Sequence, residues 1–265
     1  MKHTKKLIPA IGMLLLSACM LVTSTFAWFS MNDNVKATDM TVSAVGEQVY
    51  LQIVAGNNKE AFIDGDTTQT TAQANVKTAK LLPVNVKKAT VSGETTTYSD
   101  YVNGNDFVWV KATGTKPNDG TMKGDYSVAT PAGTTQYYLE NSFMIRLDPY
   151  AGAANASGAL RVSGVTFAED ENVDALGQTV CVLVVCGDNS ELYIYNGSAF
   201  TKKAGNAYLD ANEDDLFDDD EGVEVKVYVF FNGDHANCTL ANLAAANDNG
   251  YNEYSVEVTF TVAAV

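Results

Sequence analysis

The sequence predicts an all-β protein, built as an antiparallel β-sandwich behind a hydrophobic leader helix. The composition favours strands and turns, since charged residues make up only 18% of the 265 residues while glycine and tyrosine number 20 and 13. Two late segments alternate apolar and polar residues with the period of a strand. Polar, turn-forming sequences separate many short apolar runs, as in sandwiches.

The first 27 residues have the organisation of a secretion signal. Three lysines precede an uncharged apolar run from residue 7 to residue 29. Thr25-x-Ala27 is the small-x-small pattern that suits a signal peptidase, which would be a transient partner. We expect cleavage between Ala27 and Trp28, and therefore an extracellular or cell-surface protein.

Two other fates of the leader stay open. The segment Leu16-Ser17-Ala18-Cys19 fits a bacterial lipobox, in which Cys19 would be lipidated. The 23 uncharged residues from 7 to 29 are also long enough to span a bilayer uncleaved. In either case the leader would be the contact with the membrane.

The charge balance argues against a nucleic-acid partner. The leader holds three of the 17 basic residues and no acidic residue, so the remaining chain carries 14 against 32, a net charge of −18. Such a chain repels phosphate at long range.

We divide the chain into a signal peptide (1–27), an N-terminal segment (28–39) and a single β-sandwich domain (40–265). Strands are predicted from β-branched or alternating residues at 40–44, 49–54, 223–229 and 256–262. The polar stretch from Gly56 to Lys80 is predicted to be a surface excursion with some local structure hidden in it. Leu240 to Ala246 is the best short helix.

Two central strands differ in their patterns. From Tyr137 to Leu147, apolar residues fall on one parity and polar ones, including Arg146, on the other, which predicts one wet face. Val180 to Cys186 is apolar throughout and predicts a strand covered on both faces. Asn103-Gly104 and Asn196-Gly197 are turn signals, and the second is the better hairpin.

The cysteines do not indicate a disulfide framework. Cys181 and Cys186 lie five residues apart, which places them on opposite faces of a strand, too far apart to be bridged. One of them could pair with Cys238, and at least one thiol would remain. Buried small hydrophobic residues are the simplest interpretation.

Enzyme motifs are missing from the sequence. Once the leader is removed, His235 is the only histidine, so neither a His-x-x-x-His zinc site nor a facial triad can be built. There is no Gly-x-Ser-x-Gly elbow or phosphate loop. We expect no enzymatic activity. His235 could orient Cys238, three residues away, as a nucleophile, but a histidine in a surface loop is the simpler interpretation.

The strongest chemical signal is an acidic loop from Asp210 to Glu221. Its oxygen donors follow the order of a calcium loop, whereas Asp215 replaces the usual bend glycine. The ligands would be Asp210, Asn212, Asp214, the Leu216 carbonyl, Asp218 and Glu221. The alternative is a solvated acidic loop between strands. We expect that the protein requires no cofactor. If the loop binds a metal ion, the pattern of its ligands indicates Ca²⁺.

Both ends of the chain resemble a known family. The leader running through Thr25–Ser30 into Ala37–Ala44 resembles the camelysin/TasA-type secreted proteins of Gram-positive bacteria. Phe231-Asn-Gly-Asp-His-Ala-Asn-Cys238, followed by a last alternating strand, is similar to the family's strand-loop-Cys segment. Asp234 and His235 stand where the family has a Glu-Asp pair.

The resemblance implies a jelly-roll-like sandwich and a structural role as a subunit of biofilm-matrix or cell-surface fibres. In such fibres the N-terminal segment freed by cleavage completes the sheet of the next subunit. The partner would be another copy of the chain, and residues 28–44 would be the donor, with Trp28, Phe29, Met40 and Val42 as assembly residues. The family's metallopeptidase classification is rejected because the zinc motif is missing.

A second hypothesis is a monomeric adhesin or carbohydrate-binding sandwich, anchored through a lipidated or uncleaved leader. Tyr193, Tyr195 and Trp109 would line its ligand face, although strand aromatics usually pack in cores or across strands. A glycan-array signal from a protein that stays monomeric would favour this hypothesis over fibre assembly.

Overall fold

A computed structural model describes thirteen stretches of the chain. They are residues 41–44, 51–64, 66, 68–74, 80–112, 126–131, 135–147, 159–168, 173–210, 222–239, 241–243, 245 and 254–263. The leader with Cys19, Ala27, Trp28 and Phe29, together with Met40, lies outside them.

The regular structure of the described residues consists of strands, two 3-10 turns and a helical turn at 241–243. The strands are β1 (Thr41–Ala44), β2 (Leu51–Ala55), β3 (Thr71–Gln73), β4 (Lys80–Leu81), β5 (Asn85–Ser92), β6 (Thr95–Asp100), β7 (Phe107–Ala112), β8 (Tyr126–Val128), β9 (Thr135–Gln136), β10 (Tyr138–Leu147), β11 (Ala159–Phe167), β12 (Val180–Cys186), β13 (Asn189–Tyr195), β14 (Phe200–Gly205), β15 (Val223–Phe231) and β16 (Val256–Ala263). The 3-10 turns are Lys59–Ala61 and Gly177–Thr179. In the described part of the chain, no helix has the length and apolar character needed to cross a membrane.

Three sheets form the body of the molecule. The central sheet has the order β14-β13-β12-β15-β10-β2, the front sheet β11-β16-β1-β3, and the back sheet β6-β5-β7-β8. All strand pairs in them are antiparallel except β1 with β16. The prediction of an all-β antiparallel sandwich is confirmed.

Strand β12 lies inside the central sheet and is covered on both faces. Val180, Val182 and Val184 belong to the front hydrophobic core, which the front sheet closes with residues such as Phe260. Cys181 and Leu183 belong to the back hydrophobic core. The apolar run of β12 therefore reflects burial on two sides, as predicted.

Strand β10 differs from its prediction at Arg146, which is 3% exposed although the pattern placed it on a wet face. The guanidinium donates to Gln52 Oε1 at 2.8 Å and to Asp64 Oδ1 at 2.7 Å, and it lies 4.6 Å from the centre of the Phe62 ring. Gln52 Nε2 in turn donates to the Ile63 carbonyl at 2.8 Å. The predicted surface excursion thus folds over this face, because its backbone and Asp64 satisfy the buried polar groups.

The turn predictions are confirmed in part. Asn196-Gly197 closes the β13–β14 hairpin, with Gly197 at φ +92° and the Asn196 side chain accepting from the Ser198 and Ala199 amides. Gly104 also has a positive φ of +87°, but it joins β6 to β7, and β5 lies between these two strands. A helical turn at 241–243 falls within the predicted Leu240–Ala246 segment.

Candidate functional site

Strand β1 is the described part of the predicted assembly segment, and it occupies an interior position of the front sheet. It runs parallel to β16 on one side and antiparallel to β3 on the other. In the registers, Val42 is paired with Val258 and with Ala72. An interior strand uses both of its backbone edges, so β1 closes a slot between β16 and β3.

The walls of this slot are buried. Val258 and Phe260 of β16 are 0% exposed, and Ala72 of β3 is 8% exposed. Without β1, the backbone groups of β16 and β3 that face it would lose their hydrogen bonds, and these apolar side chains would lose cover. The slot therefore requires a strand, whichever chain supplies it.

The predicted calcium loop lies mostly outside the described residues, which contain its first ligand, Asp210, but not residues 211–221. Asp210 is 8% exposed, and its carbonyl accepts from the Leu160 amide at 2.8 Å. At the other end of the loop, Gly222 has φ +62°, and a Cβ there would lie 2.7 Å from the Ile145 carbonyl. No cluster of three or more His, Cys, Asp or Glu suited to a metal occurs among the described residues. Asp210 is thus hydrogen-bonded to β11 and Gly222 lies close against β10. Calcium binding stays a prediction.

Asp234, in the segment after β15, lies in a polar cluster that joins the central and back sheets. Its carboxylate accepts from the Tyr126 hydroxyl at 2.7 Å and from Asn85 Nδ2 at 3.1 Å, and it lies 3.0 Å from Lys87 Nζ. Lys87 Nζ also contacts Asp100 at 2.8 Å. The Asp234 amide donates back to Asn85 Oδ1 at 3.1 Å. We call these five residues the Asp234 cluster.

The electrostatics of the Asp234 cluster match its geometry. Burial lowers the pKa of Lys87, but hydrogen bonds to Asp100 and Asp234 outweigh it and raise that pKa above its usual value. Burial, and then the hydrogen bond to Asp234, raise the pKa of Tyr126 to about 12. The hydrogen bond from Lys87 lowers the pKa of Asp100. These shifts favour the protonated forms of Lys87 and Tyr126 and the ionised form of Asp100, which are the forms that make the hydrogen bonds. The cluster thus joins the two sheets.

His235 belongs to a local turn. Its Nδ1 accepts from the Asn237 amide at 3.1 Å, and its carbonyl accepts from the Cys238 amide at 2.9 Å. Burial lowers the pKa of its imidazole. Cys181, Cys186 and Cys238 are all buried and not disulfide-bonded. Cys181 and Cys186 pack in the back and front cores respectively, as their odd spacing predicts.

The three aromatic residues of the adhesin hypothesis do not share a face. Trp109 packs in the back core, where its ring stacks on Tyr138 with centroids 4.4 Å apart. Tyr193 lies in the front core, and its hydroxyl donates to buried Glu191. Tyr195 packs on Phe167 with ring centroids 5.1 Å apart. The arrangement offers no common ligand surface.

No protein-family model, curated protein or solved structure matches this chain.

Proposed function

We propose that the protein is an exported structural protein of the cell surface or biofilm matrix, which assembles into fibres by donating its N-terminal strand to the next copy. The observation that supports this most is the interior position of β1 between β16 and β3. This short strand follows directly on the predicted N-terminal segment, and backbone pairing on both sides is the contact that a neighbour's strand can reproduce.

The exchange is physically plausible because the lost and gained contacts are the same. When β1 leaves its own slot, the equivalent strand of another copy restores the pairs with β16 and β3 in the same registers, as in domain swapping. The net free energy of the exchange then depends on the protein concentration and on the segment that connects β1 to the rest of its own chain. New side-chain contacts do not contribute.

Cleavage of the leader would control this exchange. An uncleaved or lipidated leader holds residue 28 at the membrane, and so limits which slots the strand can reach. Removal of the leader frees the segment 28–44 to enter a slot on another copy. Assembly would then follow export, in keeping with the predicted cleavage site between Ala27 and Trp28.

The proposal is tested by deleting residues 28–39 from the exported form. We expect the deletion to abolish filaments in electron micrographs, because it removes twelve of the seventeen residues of the proposed donor segment 28–44. The circular dichroism spectrum should stay that of a β protein. A shortened chain that folds and still forms filaments of normal length would refute strand donation.

A further inference from the structure

The described edge strands of the three sheets differ in how they are protected against pairing with other chains. Unprotected edges carry unpaired N–H and C=O groups, and proteins protect them with lysines, bulges, short length or covering segments. In the central sheet, β14 carries Lys202 and Lys203, and its pairing with β13 shifts register between Leu192 and Tyr193. The other edge, β2, is covered by the excursion, since the Ile53 amide donates to the Gln69 carbonyl at 2.7 Å.

The front sheet and one edge of the back sheet are protected as well. Strand β11 has a register shift between Val162 and Gly164. Strands β3 and β8 are only three residues long. Each of these edges therefore offers little regular backbone to a partner.

In the described part of the chain, strand β6 shows none of these features. It is six residues long, Thr95-Thr-Thr-Tyr-Ser-Asp100, contains no lysine, proline or glycine, and pairs with β5 without a register shift. Five of its six residues are exposed, the exception being Tyr98. Among the described residues, no backbone hydrogen bond reaches its outer edge.

The β5–β6 hairpin also extends beyond the sheet. Strand β7 pairs with β5 only from Asn85 to Lys88, whereas β6 pairs with β5 as far as Ser92. Val91, opposite Thr96, is 71% exposed. A two-stranded hairpin alone is marginally stable in water, so an additional strand along β6 would stabilise it.

We propose that the outer edge of β6 pairs with β6 of a second copy of this chain. The hairpin segment 88–99 carries one charge of each sign, Lys88 and Glu94, whereas the chain carries −15. The segment has no net charge, so two copies meet here without net like-charge repulsion, and a protein of opposite charge gains no attraction there. A two-fold axis brings the same edge of both copies together in antiparallel orientation, so each satisfies the other's backbone groups.

The size of the edge predicts a weak contact. Six residues give an edge of about 20 Å, and the contact falls below the roughly 1,200 Å² of stable interfaces. The pairing thus forms reversibly at high local concentration. It is independent of β1, and it would join subunits side by side.

Hydrogen exchange of the whole purified chain at increasing protein concentration tests the proposal. Every second amide of an edge strand faces outward, so exchange of the 95–100 peptide should slow by about twofold when half the chains are paired. The peptide 200–205, from the edge strand β14, should not change. Thr96→Lys should remove the concentration dependence, and Thr201→Lys on β14 should leave it intact.

Sedimentation velocity on the same variants checks the assembly state. Thr96→Lys should sediment as a smaller species than the wild type at the highest concentration, with an unchanged circular dichroism spectrum. Exchange of 95–100 that is the same at every concentration would overturn the proposal. So would an equal loss of association in Thr96→Lys and Thr201→Lys, because it would show a general effect of charge.

Discussion

The two faces of the central sheet are held by different kinds of contact. On the front face, central-sheet side chains such as Phe143 and Val227 share one hydrophobic core with front-sheet side chains such as Phe260, and all three are 0% exposed. The back face combines the Trp109 aromatic contacts with the polar Asp234 cluster. Apolar contacts such as those of the front face are non-directional, whereas the polar contacts of the back face depend on the placement of single atoms.

The largest effect is expected at the front face. Phe260→Ala removes a fully buried ring beside β1 and leaves a cavity, so the free energy of unfolding should fall by about 3–5 kcal/mol. Urea denaturation followed by circular dichroism measures this. Val91→Ala, on the exposed hairpin, is the control and should change stability by less than about 0.5 kcal/mol. A small effect of Phe260→Ala would mean that the front face is not the main core.

At the back face, Asp234→Asn should lower the free energy of unfolding by about 1.5–3 kcal/mol, because hydrogen bonds from Lys87 and Tyr126 to a charged group are weakened. Asp106→Asn breaks the ion pair between Asp106 and Lys88, which are 2.5 Å apart. Their side chains are 56% and 49% exposed, respectively. This substitution should lower the free energy of unfolding by less than about 1 kcal/mol, because the pair is exposed. Equal effects of the two substitutions would show that the Asp234 cluster does not dock the back sheet.

The smallest effect is a pH dependence of the Asp234 cluster. The pKa of Tyr126 is raised from 10.0 to about 12 in the folded protein, so its stabilising effect is complete below pH 10 and is lost as the pH rises to about 12. The stability difference between wild type and Tyr126→Phe should shrink over that window in urea titrations. A difference that stays constant from pH 9 to pH 12 would contradict the hydrogen bond to Asp234.

Local patterns in the sequence predicted three long strands of the central and front sheets well. The alternation in β15 and β16 and the continuous apolar run of β12 each report the burial of a strand's own faces, which is a local property. Arg146 was misjudged because its burial depends on Asp64 and Phe62 in a distant loop. The alternation of polar and apolar residues along a strand does not show whether a distant segment covers the polar face.

The contacts between distant segments could not be predicted. Asn85 and Asp234 lie 149 positions apart, and neither stands in a pattern that distinguishes it from a solvated residue. The parallel pairing of β1 with β16 joins the two ends of the domain, and nothing in either strand specifies its orientation. An unbroken Thr-rich strand such as β6, by contrast, is visible in the sequence, but its edge position is not.

The most direct measurement of the central claim locks β1 into its own slot. Ser43 and Thr71 are paired in antiparallel β1 and β3, and such pairs have Cα separations of about 4.5–5.5 Å, which suit a disulfide. The chain with Ser43→Cys and Thr71→Cys should form no filaments in electron micrographs when oxidised, and should form them after reduction. The control with Ser142→Cys and Lys226→Cys, a pair between β10 and β15, should form filaments in both states. Filaments of the oxidised Ser43–Thr71 variant, with the disulfide confirmed by mass, would contradict strand donation.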